Sequence, residues 1–443
     1  MQFYSKIRKA LGEDTPSEVT ASVHGAGALP SFFDVSGLAV DTVTIAAEEV
    51  AALQGAASCR VDVGLALRWF DMTLRGTGWE VPSSWDPIAG DYKTKSGWIR
   101  LHTNVPRHRA VALSILGCAA DRGSVAEAVE RCEGDYLEQA VVEAGGCAAV
   151  MRTPDEWHVH PQGIAVSSQP LIHWSTRDQR AETNNASAES RPPRILDLTR
   201  VLAGPVATRF LAAFGMDVLR IDPPDWDEPG LIPEVTIGKR CVYLDLKTSG
   251  GRAAFDALLK DADVLVHGLR PGALERLGYH PNHLRSINPT LMDVAVSAYG
   301  TAGPWSGRRG FDSLVQMSCG IALQGMVAYG RDRPTPLPVQ ALDHATGYLM
   351  AAAVARALRV RRDTGAVKSA RLSLARTADL LMQGQVGTTT FANDVRLCHG
   401  EPRTLEVTHW GQATRVAFPA SIDAKDARWR YPAGPLGASP AIW

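Results

Sequence analysis

Between Arg194 and Ala322 the chain alternates short apolar runs with helical periods, and glycine or proline punctuates the changes. Residues 195–198 form an apolar, strand-like run; Leu202-Ala203-Gly204-Pro205 then breaks it before a helical pattern over 208–214. Gly215 stops that helix, and 216–221 reads as the next strand. Strand, turn, helix and strand make a βαβ unit, which predicts a parallel sheet with helices on its faces. The theme recurs: a run over 241–246 precedes a helix over Ser249–Lys260, the run 264–268 ends in Leu269-Arg270-Pro271-Gly272, and 291–298 ends at Tyr299-Gly300. The pattern predicts an α/β fold with a parallel-sheet, Rossmann-like large domain. Ligands of such sheets sit at the carboxyl ends of the strands, where the Ala203-Gly204-Pro205 turn falls. Lys239, Arg240, Lys247, Arg270 and Arg276 recur at these strand ends, a placement that suits a polyanionic ligand.

Two other stretches share one order of features. From Ala28 there is a Leu-Pro opening, an extended stretch, an Ala/Val-rich helix, a glycine-containing break and a second apolar stretch. Residues 335–381 repeat that order about three hundred residues later, too far for a solenoid and suited to two related halves. Setting the two helical starts side by side puts Gly37 opposite Asp343, so the first copy lacks a carboxylate that the second holds. Residues 176–193 are rich in Ser, Asn and Ala and close with two prolines, the composition of a flexible linker. The chain after residue 386 reads as a short polar tail.

Composition narrows the function classes. With a formal charge of -1 and 45% hydrophobic residues, neither nucleic acid nor an anionic membrane is an implied partner. Any anion site must therefore be local. No apolar run approaches the ~18 residues that span a bilayer, and the first residues lack a secretory core, which predicts a cytoplasmic protein. Seven cysteines without a CxxC pair suit reduced thiols; Cys319, in MSCGIA, reads as a small buried residue more readily than as a nucleophile. His158 and His160 have no Cys or carboxylate cluster beside them and read as loop residues, not metal ligands.

The motifs LDLTRVLAGPVAT, GMDVLRIDPP, GKRCVYLDLKTSGGR, DVLVHGLRPGALERLGY, YGTAGPW, GFDSLVQMSCGIA and LPVQALDHATGYLMAAAVARAL follow one another in this order. Together they resemble the large domain of the class III CoA-transferase family, which includes formyl-CoA and carnitine CoA-transferases and the related α-methylacyl-CoA racemases. Residues 91–175 are similar to the family's small α+β domain. The implied organisation is a partial, degenerate large-domain repeat over 1–90, a small domain over 91–175, a linker over 176–193 and a CoA-binding large domain over 194–443. On this reading the N-terminal small domain serves the C-terminal large domain, in cis or across a dimer.

The resemblance implies transfer of coenzyme A from an acyl-CoA to a carboxylic acid. Its nucleophile is the Asp that follows the LPxxxL run and begins an Ala/Gly-rich helix, here Asp343. A carboxylate can attack an acyl-CoA thioester to give a mixed anhydride and CoA thiolate, which returns to form an aspartyl-CoA thioester. Read without the family, Asp343 also suits the N-cap of the following helix. Resemblance further implies that Leu202 and Ala203 contact coenzyme A through their backbone. Asp245, Leu246 and Lys247 with Leu269, Arg270 and Pro271 line its adenosine and phosphates, and Arg276 adds charge. Gly310, Phe311 and Asp312 border the pantetheine and thiol. No metal, flavin or nicotinamide is implied. Family members form interlaced dimers, so either a homodimer or an intrachain pseudo-dimer is expected.

Two departures stand out. Pro223 occupies a position that is basic in several members, and no glycine-rich flap is evident. The racemases carry a His where Phe311 stands, which makes proton transfer at the acyl α-carbon the alternative reading. A non-catalytic acyl-CoA-binding scaffold is the third.

Overall fold

A computed structural model describes residues 2–12, 18–177, 191–384, 394–397 and 400–443. Its central sheet has seven strands in the order Lys239–Tyr243, Asp217–Asp222, Arg194–Leu198, Val264–His267, Met292–Ser297, Val367–Ser373 and His173–Arg177. All run parallel except the last, which pairs antiparallel with Val367–Ser373. Ile195, Leu196, Val264, Leu265 and Val266 are fully buried, as strands covered on both faces require. The protein is thus an α/β protein built on a parallel sheet.

Strand order explains where a ligand can bind. The chain leaves Arg194–Leu198 toward one edge through Asp217–Asp222 and Lys239–Tyr243, then returns to lay Val264–His267 on the other side of Arg194–Leu198. Connections therefore diverge between the carboxyl ends of Arg194–Leu198 and Val264–His267, the crevice that open α/β sheets use for ligands. The turns that leave these two strands carry Leu202-Ala203 and Leu269-Arg270-Pro271.

Some elements differ from the sequence reading. The Ala203-Gly204-Pro205 stretch is the first turn of a helix, Ala203–Ala213, rather than a break before one. Proline is tolerated in a first turn because those N–H groups have no intrahelical partner. The helix bearing Asp343 starts earlier and ends later than its apolar pattern, spanning Ala341–Thr364. The tail is structured: Arg403–Thr408 and Gly411–Val416 form a hairpin whose second strand pairs with Leu74–Gly76.

The N-terminal region forms its own strand–helix–strand unit. Thr20–His24 and Ser58–Asp62 pair in parallel around the helix Val35–Gln54, which lies beside Ala341–Thr364. Arg359 binds Glu49 at 3.3 Å and Arg362 donates to the Leu53 carbonyl at 2.7 Å along this seam. Residues Gly90–Lys93, Trp98–Leu101 and Ala148–Val150 form a small antiparallel sheet with helices Pro106–Leu116, Arg122–Glu130 and Gly134–Glu143. Most of the 176–193 stretch lies outside the described residues. Among the described residues no helix is long and apolar enough to cross a membrane.

Candidate active site

The helix Ala341–Thr364 is not capped by its own N-cap residue, since Gln340 makes no side-chain cap bond. Asp312 does the work from another segment. Its Oδ2 accepts from the backbone N–H of Leu342 at 2.8 Å and of Asp343 at 3.0 Å, while the Gln316 amide donates to Oδ1. Asp343 is therefore inside the helix and free of the N-cap role that its sequence also allowed.

The Asp343 side chain is buried, 8% exposed, and faces the Ala203 backbone N–H at the start of Ala203–Ala213. The two helices meet closely because a Cβ at Gly347 would collide with the Ala203 carbonyl and Val206. Burial, and then the charge of Asp312, push the Asp343 carboxyl well above the usual carboxylate range. Burial also raises Asp312, to about 6, against the donors that favour its charged form. With more donors on Asp312, the proton of the pair resides on Asp343 and the charge on Asp312.

The turn before Ala203 is held at both ends. Asp197 Oδ1 accepts the Thr199 N–H at 2.9 Å, and Glu228 Oε2 accepts the Val201 N–H at 3.0 Å. Val201 has φ 63°, a left-handed conformation that a β-branched residue adopts only under constraint. Arg220 secures the constraint by binding Glu228 at 2.5 Å and Asp222 at 2.7 Å.

Asp343, Asp312, Leu202 and Phe311 line one cavity of about 280 Å³. The N-terminal third of the chain adds Phe70, Met72, Trp85 and His102 to its walls. The His102 ring stacks on Phe311 with centroids 3.6 Å apart and planes 2° apart, and Phe70 stacks on His344 at 5.1 Å. Burial lowers the His102 pKa to about 3 and holds His344 well below its ordinary value, so both imidazoles are neutral.

A second cavity, of about 130 Å³, opens where Val264–His267 ends and is lined by Leu269, Arg270 and Pro271, with Glu275 on its wall. Arg270 feels burial first and then the like charges of Arg309, Arg276 and Arg107, which together lower its pKa. Among the described residues these four arginines make no ion pair with an acid. Arg107 lies in the first turn of the helix Pro106–Leu116, and the nearby Gly145 carbonyl accepts from Arg309 at 3.4 Å.

The other expected residues lie elsewhere or act differently. Asp245, Leu246 and Lys247 follow the outer edge strand, away from both cavities; Asp245 Oδ1 caps the turn by accepting the Lys247 N–H at 3.0 Å. Gly310 allows close packing, since a Cβ there would meet Ala298 and the Tyr299 ring. Lys239 is buried in an ion pair with Asp197 at 3.0 Å, and Arg240 pairs with Asp217 at 3.0 Å, so neither is free for a polyanion. Both stand at the start of their strand, not its carboxyl end. Burial pushes the Cys319 thiol up to about 12. His160 caps the helix Pro161–Ser167. Phe70, Trp85, His102 and Arg107 were not legible as site residues, because no local motif marks a wall supplied from a distant part of the chain; Arg309 likewise carries no motif of its own.

A family model described as CoA-transferase family III matches residues 193–416. The chain is 34% identical over 186 residues to the probable fatty acyl-CoA transferase Rv3272 of Mycobacterium tuberculosis, covering 39% of this chain and 47% of that protein. It is 33% identical over 184 residues to the acetyl-CoA:oxalate CoA-transferase of Acetobacter aceti, with 39% and 47% covered. To the formyl-CoA:oxalate CoA-transferase of Afipia carboxidovorans it is 29% identical over 220 residues, with 47% and 50% covered. The chain spans about half the length of these curated relatives. The crystal structure of Rv3272 shares 32% identity over 43% of this chain and 56% of that one, with a TM-score of 0.40.

Proposed function

The chain belongs to CoA-transferase family III, and from that premise we propose that it moves coenzyme A from an acyl-CoA to a carboxylic acid through Asp343. One observation carries the reading: a buried carboxylate meets the N-terminus of a second helix, through the Ala203 N–H, inside a cavity. Asp343 gives up its proton to solvent and, as the carboxylate, attacks the thioester carbonyl carbon; the C–S bond breaks, and CoA leaves as thiolate. The thiolate then attacks the aspartyl carbonyl of the anhydride and releases the donor acid. An acceptor carboxylate attacks the aspartyl-CoA thioester, and the expelled thiolate takes the acceptor acyl group and restores Asp343. The Ala203 N–H and the helix behind it stabilise negative charge as it develops near the carboxyl.

The arginines around the second cavity supply the charge that the phosphates of coenzyme A need. On this reading Arg270, Arg276, Arg309 and Arg107 hold the nucleotide end, Leu202 and Ala203 the pantetheine end, and the N-terminal small domain contributes His102 to the first cavity and Arg107 to the arginine cluster in cis. We also read residues 1–90 as a partial copy of the large domain. The short bond from the Val35 N–H to the Phe33 carbonyl, 2.8 Å, and its counterpart from Ala341 to Val339, 2.7 Å, support that reading.

Acyl α-proton exchange is the second reading, favoured by neutral His102 stacked on Phe311 in the cavity wall. The test is mass spectrometry of a mixture of acetyl-CoA and free acids in deuterated water. New acyl-CoA species that vanish with D343A support transfer. Deuterium at the acyl α-carbon without a new acyl-CoA supports proton exchange and contradicts transfer.

A further inference from the structure

Resting on the transferase reading, we infer that the acyl cavity selects compact monocarboxylic acyl groups bearing a hydroxyl or keto oxygen, and rejects acids with a second carboxylate. Charge argues the exclusion. Asp343, Asp312 and Glu234 all line this cavity. The nearby cations are already engaged: Arg209 and Arg415 bind Glu234, and Arg100 binds Asp91 at 2.7 Å. A second substrate carboxylate would enter a buried site with acids around it and no spare cation, and an unpaired buried charge is strongly disfavoured.

Unpaired polar atoms argue the preference. Ser313 Oγ, His102 Nδ1 and His344 Nδ1 line the same cavity and have no hydrogen-bond partner in the protein. Their residues are 4%, 5% and 3% exposed, so bulk water does not serve them. Buried polar groups are seldom left unsatisfied, and an uncharged substrate oxygen would satisfy them. Both imidazoles are neutral and can each present a donor or an acceptor. Phe70, Met72, Trp85 and Phe311 add apolar wall for a carbon skeleton, and Asp71 adds a further acid against a second carboxylate. The cavity of about 280 Å³ suits a compact acyl group.

The test is CoA transfer from acetyl-CoA to three kinds of acid, using the full chain and reading kcat/KM by mass spectrometry. The hydroxylated acids are lactate and 3-hydroxybutyrate, the plain ones propionate and butyrate, the dicarboxylic ones oxalate and succinate. At least one hydroxylated acid should exceed its plain partner about tenfold, because a site built for a hydroxyl penalises its absence. Both dicarboxylates should fall about a hundredfold below the better hydroxylated acid, the scale of an unpaired buried charge. In S313A and H344F the hydroxyl preference should shrink at least threefold, mainly through KM. Transfer to succinate or oxalate within tenfold of the hydroxylated acids overturns the inference and leaves the transferase reading standing. So does a plain acid that matches its hydroxylated partner. Transfer to none of the six, with CoA still bound, overturns the transferase reading itself.

Discussion

The Asp312 carboxylate accepts the Asp343 backbone N–H at 3.0 Å, so one acid of the site holds the other by its main chain. The same oxygen takes the Leu342 N–H at 2.8 Å. D312A leaves both buried donors unpaired, at about 1–3 kcal/mol each. Denaturant unfolding should show that loss, and CoA transfer should fall with it. D312N removes the charge that raises Asp343 and should move the acid limb of the pH–rate profile to lower pH. An unmoved limb would mean that burial alone sets the Asp343 pKa.

A raised carboxyl pKa also has a stability consequence. The folded state favours protonated Asp343, so its contribution is present below the unfolded pKa and is lost as pH rises through the folded one. D343N should therefore be more stable than the parent at pH 8, with the difference closing toward pH 4. Melting temperatures across that range check it; a difference that grows on acidification contradicts the assignment.

Glu228 acts on the site through Val201. E228A frees a residue held at φ 63° and lets the Ala203 N–H drift from Asp343. We expect kcat to fall roughly tenfold or more, since small misplacements near reacting groups are costly, with KM for acyl-CoA changed little. Glycine adopts the left-handed conformation freely, so E228A/V201G should recover part of the loss. A double variant no better than E228A would place the effect in the Arg220–Asp222–Glu228 network instead.

Charge at the second cavity predicts a different kinetic signature. R107A and R270A should each raise KM for acyl-CoA about tenfold, the equivalent of ~1.4 kcal/mol, at nearly unchanged kcat. R107A showing no change in KM would remove the small domain from nucleotide binding.

Gly37 is not a lost catalytic position waiting to be refilled. In the helix Val35–Gln54 Asp34 supplies the cap by accepting the Gly37 N–H at 2.7 Å, and a Cβ at Gly37 would collide with the Asp34 carboxylate. The helix Ala341–Thr364 receives its cap from Asp312 instead. G37D should thus destabilise the helix Val35–Gln54 without adding activity to a D343A background, which unfolding and transfer assays would show.

Much of this arrangement was legible in the sequence where local pattern decides it. Apolar runs at 195–198 and 264–268 located the two strands that flank the binding crevice, and the LPxxxL run singled out Asp343. Pattern failed where partners come from afar. Asp312 lines the cavity, but its hold on the backbone of Leu342 and Asp343, with Gln316 donating to its other oxygen, carried no local signal. Lys239 looked like a phosphate ligand, but burial commits it to Asp197. Arg107 and His102 carried no signal because their meaning depends on how the small domain docks. Asp245 to Lys247 sit after a strand, as expected, yet on the sheet's edge and outside the lining of both cavities described.

The central claim, that Asp343 carries coenzyme A covalently, is tested most directly by mass spectrometry of the intact chain and its peptides after brief incubation with acyl-CoA. The account predicts a hydroxylamine-sensitive CoA adduct on the peptide bearing Asp343, absent in D343A. Turnover with no adduct on that peptide, or with one on another residue, would contradict it.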